Sequence, residues 1–273
     1  MLSRLLIVLM MAGVCYKAQA QKSLPQNMVN VKGGTFVPLY GDENGPVEVQ
    51  SFLLDAYPVT NAEYAAFLEK NPKWNKGEVK KIFADENYLR HWANGQNIGP
   101  DAGKISNSPV VNVSWFAAKA YCECQGKRLP TVAEWEYTAL ASETKANAAN
   151  DDKFYQRSLD WYSQPNPKYL PPVQQGFRNY YGAYGMIGLV WEWTQDFNSA
   201  LLIGESRSDA SLDRQLFCGS GSSGAKDVKN YVAFMRYAFR SSLKANYTVG
   251  NLGFRCAQSK KNASIKPAKR PAI

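Results

Sequence analysis

Five cysteines, one histidine and a set of arginines are the residues in this 273-residue chain with the chemistry to do more than pack. Cys15 lies in an apolar N-terminal run, which leaves Cys122, Cys124, Cys218 and Cys256 for the folded part. Thiols in such numbers could hold a soft metal, act as nucleophiles or close disulfides. Zinc is disfavoured, because no C-x-x-C spacing occurs and only His91 could add a nitrogen ligand. Hydrolytic triads fail on the same count, since His91 has no activated nucleophile to serve, so it reads as an ordinary surface or packing histidine. In an oxidising compartment four cysteines favour disulfides, and the sequence by itself allows three pairings.

The compartment follows from the N-terminus. Residues 1–20 combine a short basic start, an apolar run from Leu5 to Val14 and Ala18-Gln19-Ala20, an A-x-A cleavage site. This reads as a secretory signal whose apolar run is too short for a permanent span, so no transmembrane segment remains after cleavage. A lipid anchor on Cys15 is the weaker reading, because bulky Val14 precedes the cysteine. The mature protein is expected to be secreted or periplasmic, with outer-membrane association as a variant of that placement. The formal charge of +9 does not indicate nucleic acid. Two of its cations, Arg4 and Lys17, lie in the leader and five lie in the last fourteen residues, leaving about +2 for the body.

The elements that must position these side chains are partly legible. Met28 to Val31 alternates as a strand, Gly33-Gly34 leads to a second extended run over Thr35 to Leu39, and Val47 to Leu54 alternates again. Thr60 and Glu63 form a capping box before a helix over about 61–69. Residues 71–107 read as an irregular excursion anchored by aromatics, and Pro109 to Val113 as a short buried strand. Ser114 caps a helix that Gly126 ends, and Thr131 with Glu134 caps the next. After a polar loop to Lys153, order restarts near Leu159 to Tyr162; Asn179 to Trp193 is aromatic and glycine-rich without a period. Tyr231 to Arg240 is expected to be a strand, and Asn251 to Cys256 the closing strand. Helices scattered among short strands make an α+β fold in one domain, residues 21–258, followed by a basic disordered tail, 259–273.

Several of these segments together resemble one family. Gly33-Gly34-Thr35-Phe36, Val59-Thr60-Asn61, Pro109 to Trp115, Gly126 to Thr131 with Ala133 to Tyr137, Val190 to Trp193 and Gly253 to Cys256 occur in an order similar to that of the formylglycine-generating enzymes, or sulfatase-modifying factors. The resemblance runs from about Met28 to Ala257 and implies a variant of the C-type lectin fold with little regular secondary structure. It also implies a disulfide between Cys122 and Cys256, leaving Cys124 and Cys218 either bridged to each other or free.

Enzymes of that family oxidise a sulfatase cysteine with oxygen, using copper held by two cysteines in a soft linear site. On the matching spacing those positions are Ala225 and Val232, neither of which can ligate copper. The resemblance thus implies a divergent, non-catalytic member with no copper. A copper oxidase with a relocated metal site is the alternative. A family calcium loop would use Glu192 and the carbonyls of Gly188 and Val190, weakened because Gly185 stands where an Asn or Asp is usual. Trp191, Ser222, Arg236 and Arg240 are expected to line a groove for a protein or glycan partner. Secreted relatives without the cysteine pair include structural parts of gliding and type IX secretion machinery.

Overall fold

Short strands are laced together by their ends. The computed structural model describes residues 27–38, 45–198 and 228–260. Among these, β1 (Met28–Val31), β4 (Phe52–Asp55) and β7 (Ala257–Ser259) form an antiparallel sheet in the order β1-β4-β7. Its registers include Val31 opposite Phe52 and Leu54 opposite Ala257. The sheet therefore clamps the N-terminal and C-terminal parts of the domain on one central strand. β2 (Gly34–Phe36) pairs with β3 (Val47–Val49), and the parallel pair β5 (Trp191–Glu192) and β6 (Leu252–Gly253) lies apart. At Gly253 a Cβ would lie 2.7 Å from the Val110 carbonyl oxygen, so only glycine allows this close approach.

Three of the helices, those that Thr60, Ser114 and Thr131 cap, form where the capping chemistry predicts them. Both capping boxes are closed, Thr60 with Glu63 on α1 (Asn61–Lys70) and Thr131 with Glu134 on α4 (Val132–Ala139). A short helix, α2, covers Ala102–Ile105. Ser114 accepts from the Ala117 amide at the start of α3 (Trp115–Cys124), and Gly126, with φ +67°, lets the Lys127 amide turn back to the Cys122 carbonyl. Cys122 is bonded to Cys256 with a Cα separation of 5.5 Å, as the family resemblance implies. The bridge closes a loop of 134 residues, for which removal typically costs about 2–5 kcal/mol. Around it α1, α3 and the closing segment share a core in which Tyr64 packs against Tyr121 and Phe254 and its hydroxyl meets that of Tyr88.

Five expectations from sequence are corrected. Tyr231 to Arg240 is helical, within α6 (Val228–Ser241). Val232, Ala233, Arg236 and Arg240 are buried, a stripe of helical period that does not follow strand alternation. Val47 to Leu54 divides into β3 and β4. Residues 109–113 are buried but form only a bridge, Pro109 to Thr60, because Asn112 turns into the left-handed region at φ 55°. Order restarts earlier than Leu159, at α5 (Asp152–Ser163), which Asp151 caps. At the other end β7 runs through Ser259, the first residue of the expected tail. The leader and residues 261–273 lie outside the described residues. No helix among the described residues is long and apolar enough to cross a membrane.

Candidate functional site

Consecutive residues on α4 organise the most highly charged part of the interior. Trp135 is buried against the first sheet, and Glu136, about 100° further round the helix, faces α6. On α6 the four-residue spacing of Arg236 and Arg240 places both guanidiniums on one face. Arg236 meets both oxygens of Glu136, with Nη2 2.7 Å from Oε2, and Arg240 Nη1 reaches Oε1 at 2.6 Å. The Trp135 ring lies 4.8 Å from the Arg240 guanidinium and 6.0 Å from that of Arg236, close enough for cation–π attraction. Burial alone would raise the Glu136 pKa, but the two guanidiniums outweigh it and hold the carboxyl down at about 2. The same carboxylate pushes Arg236 further above its ordinary value, against its own burial.

Trp135 joins this group to a second ion pair. Its Nε1 donates to Glu192 Oε2 at 2.8 Å, and Arg255 Nε and Nη2 donate to the two oxygens of Glu192, each at 2.8 Å. Both charged side chains are fully buried, and Arg255 also donates to the carbonyls of Asp55, Ala56 and Tyr184. A buried pair so completely hydrogen-bonded has the geometry needed to offset its desolvation.

This geometry bears directly on the calcium expectation at Glu192, Gly188 and Val190. Calcium requires several oxygens facing one point. The Glu192 carboxylate is instead capped by a guanidinium and an indole, so a cation there would oppose Arg255 at the same oxygens. The donor set does not fit calcium.

The expected groove residues are brought together in part. Arg236 and Arg240 are buried and paired with Glu136, so they present an excess of one positive charge rather than two free guanidiniums. Arg240 and Glu136 border a small cleft of about 50 Å³ with Phe36, Pro38, Val132 and Tyr237. Trp191 stacks on Phe239 at 4.6 Å and on Tyr162 at 5.3 Å, with Trp161 at 5.1 Å, which makes an aromatic wall between α5 and α6. Val232 is fully buried with Phe154, Tyr155 and Ile187, and its side chain offers no donor. Ser222, Ala225 and Cys218 lie outside the described residues. Cys124 is an unpaired thiol on the surface of α3, and His91 stands at the exposed mouth of a different cavity.

Sequence reasoning missed Glu136 and Trp135 as the hub, and Tyr162 and Phe239 as the wall. A helical reading of 228–241 carries the signal for Glu136. It places two arginines one turn apart on an otherwise apolar stripe, which demands a buried carboxylate partner.

Comparison with known proteins places the chain in one family. The family model of the sulfatase-modifying factor enzyme 1-like domain matches residues 15–260. The inactive Cα-formylglycine-generating enzyme 2 of Bos taurus is 30% identical over 277 residues, spanning 85% of this chain and 87% of its own. The formylglycine-generating enzyme of Streptomyces coelicolor is 29% identical over 77% of this chain and 79% of its own. Among solved structures, that of CarF superposes with a TM-score of 0.49 at 16% identity, over 87% of this chain and 99% of the other.

Proposed function

The chain belongs to the sulfatase-modifying factor enzyme 1-like family, and from that premise we propose that it is an exported, non-catalytic member that binds a protein or glycan partner in the cell envelope. Relatives named as active and as inactive both match, so the choice rests on the site. Val232 carries it. At one of the two positions where the family resemblance calls for a copper thiolate, the aliphatic side chain of Val232 is sealed in an apolar cluster, which supports the non-catalytic reading.

Recognition is assigned to the cleft beside Arg240. One carboxylate shared by two guanidiniums leaves a positive charge at a polar and aromatic edge, suited to a carboxylate or sulfate on the partner. Such a role fits the structural parts of envelope machinery, of the gliding or type IX secretion kind, better than a turnover enzyme.

Two measurements on the purified mature chain test this reading. Cu(I) titration against a chromophoric chelator, with oxygen uptake on a cysteine peptide, is expected to show no tight stoichiometric copper and no aldehyde product. One tight Cu(I) per chain with oxygen-dependent turnover would establish the oxidase instead. Cross-linking in envelope fractions and screening against acidic and sulfated glycans should yield a partner that Tyr237→Ala weakens. Failure to retain any partner in either screen counts against the binding role.

A further inference from the structure

A second cavity shares no lining residue with the Arg240 cleft. It measures about 270 Å³, just under the range usual for drug-sized ligands, and so suits a small one. Asn61 and the segment around His91 and Asn112 form one wall, and the loop carrying Lys168 and Tyr169 forms the other.

The first wall is held rigidly. Asn61 Nδ2 donates to the carbonyls of Ile105, Ser108 and Pro109, which fixes its orientation. Its Oδ1 accepts from Trp92 Nε1 at 2.9 Å and faces His91 Nε2 at 3.3 Å. The Asn112 side chain lines the same wall and donates from its Nδ2 to the Thr248 carbonyl at 3.3 Å. Leu89 and Asn112 have φ of 45° and 55°, which side chains other than glycine seldom adopt, and the Leu89 amide donates to the Asn112 carbonyl at 2.9 Å. Two linked left-handed residues beside one cavity are the kind of stored strain that accompanies binding sites.

Charge supplies the second observation. Arg90 and Lys168 are exposed lining residues, and neither forms an ion pair among the described residues. Asp101, an acid in the lining, is taken up by Lys104 Nζ at 3.2 Å and the Tyr169 hydroxyl at 3.1 Å. Lys76 adds a further cation behind the wall, donating to the carbonyls of Arg90 and Trp92. Although an edge of His91 is exposed, desolvation of the rest of the ring, with Lys76 and Arg90 nearby, keeps its pKa below the ordinary value, so the imidazole is neutral near pH 7.

We propose that this cavity binds a small carboxylate-bearing ligand of monosaccharide or amino-acid size. Its carboxylate lies at the Arg90 and Lys168 mouth, its body lies against Tyr169, and its hydroxyl or amide groups meet His91 and Asn112.

Calorimetric titration of the mature full-length chain with glucuronate, N-acetylalanine and glucose tests the assignment and separates the two sources of carboxylate. Saturable binding of glucuronate or N-acetylalanine is expected, and the tighter of the two identifies a sugar acid or a peptide terminus. Arg90→Gln and Lys168→Gln, both at exposed positions, should each weaken it by about fivefold to tenfold, whereas Lys119→Gln at a remote cleft should not. Affinity should also fall as salt is raised. Glucose binding as tightly as the acids, no saturable binding of either acid, or binding indifferent to Arg90→Gln and Lys168→Gln would each overturn the proposal.

Discussion

Glu192 and Glu136 stand on either side of Trp135, and their difference separates holding the fold together from leaving a surface able to recognise something. Glu192 faces one guanidinium, both partners are wholly buried, and the charges cancel. Glu136 faces two, keeps 19% of its side-chain surface, and leaves one positive charge over. A balanced pair out of contact with water has nothing to offer a ligand, and its value lies in tying β5 to the segment before β7. An unbalanced group at the edge of a cleft keeps a field that an anionic partner can complete.

The largest effect is expected from Glu192→Gln. It leaves Arg255 charged and unpaired in the interior, which typically costs about 3–5 kcal/mol. Urea denaturation followed by tryptophan fluorescence reads this directly. Replacing both partners with apolar residues of similar volume should recover a good part of the loss, because the desolvation cost disappears along with the attraction.

Glu136→Gln should cost less, about 2–3 kcal/mol, since solvent reaches the group it leaves behind. Acid titration gives an independent check. The Glu136 pKa is lowered from 4.5 to about 2 on folding, so its contribution is fully present above about pH 4.5 and is lost as pH falls towards 2. That shift corresponds to an upper bound of ~3 kcal/mol. The stability of Glu136→Gln should therefore depend less on pH across that window. A larger loss for Glu136→Gln than for Glu192→Gln would reverse the assignment of the two regions.

Trp135→Phe sharpens the comparison, because it keeps a ring beneath Arg240 but removes the donor to Glu192. A lost hydrogen bond to a buried carboxylate should cost about 1.5–3 kcal/mol. Its effect should be non-additive with Glu192→Gln and close to additive with Glu136→Gln in double-mutant cycles.

Much of this frame was legible in the sequence. Both capping boxes and the Gly126 stop are local features, decided by residues meeting their own neighbouring backbone, and the strand at Met28 to Val31 shows in its alternation although it pairs with Phe52 to Asp55. The family motifs placed the Cys122–Cys256 bridge and the fold. What could not be read was long-range compensation. Arg236 and Arg240 fit an alternating strand and a groove lining on local pattern, but Glu136, 100 residues before Arg236, pairs with both on one face of a helix. The family resemblance offers Glu192 as a ligand in a weakened calcium loop. Arg255, 63 residues further on, occupies both of its oxygens. Asn112 likewise broke an expected strand through a backbone angle that no local pattern announced.

Arg240→Gln is the smallest change and the most direct test of excess charge. Glu136 would keep its contacts with Arg236, so the lost interaction is the second of two, and the desolvation of Arg240 is removed with it. The net effect on stability should be within about 1 kcal/mol, while Arg236→Gln, which removes the doubly contacting partner, should cost clearly more. If Arg240 instead proves as costly as Arg236, the two guanidiniums act as one structural unit, and the positive charge at the cleft is committed to the fold. If it is cheap and the partner identified by cross-linking is lost with it, the unbalanced side of Trp135 is the recognition surface, and the balanced side is the brace that holds it in place.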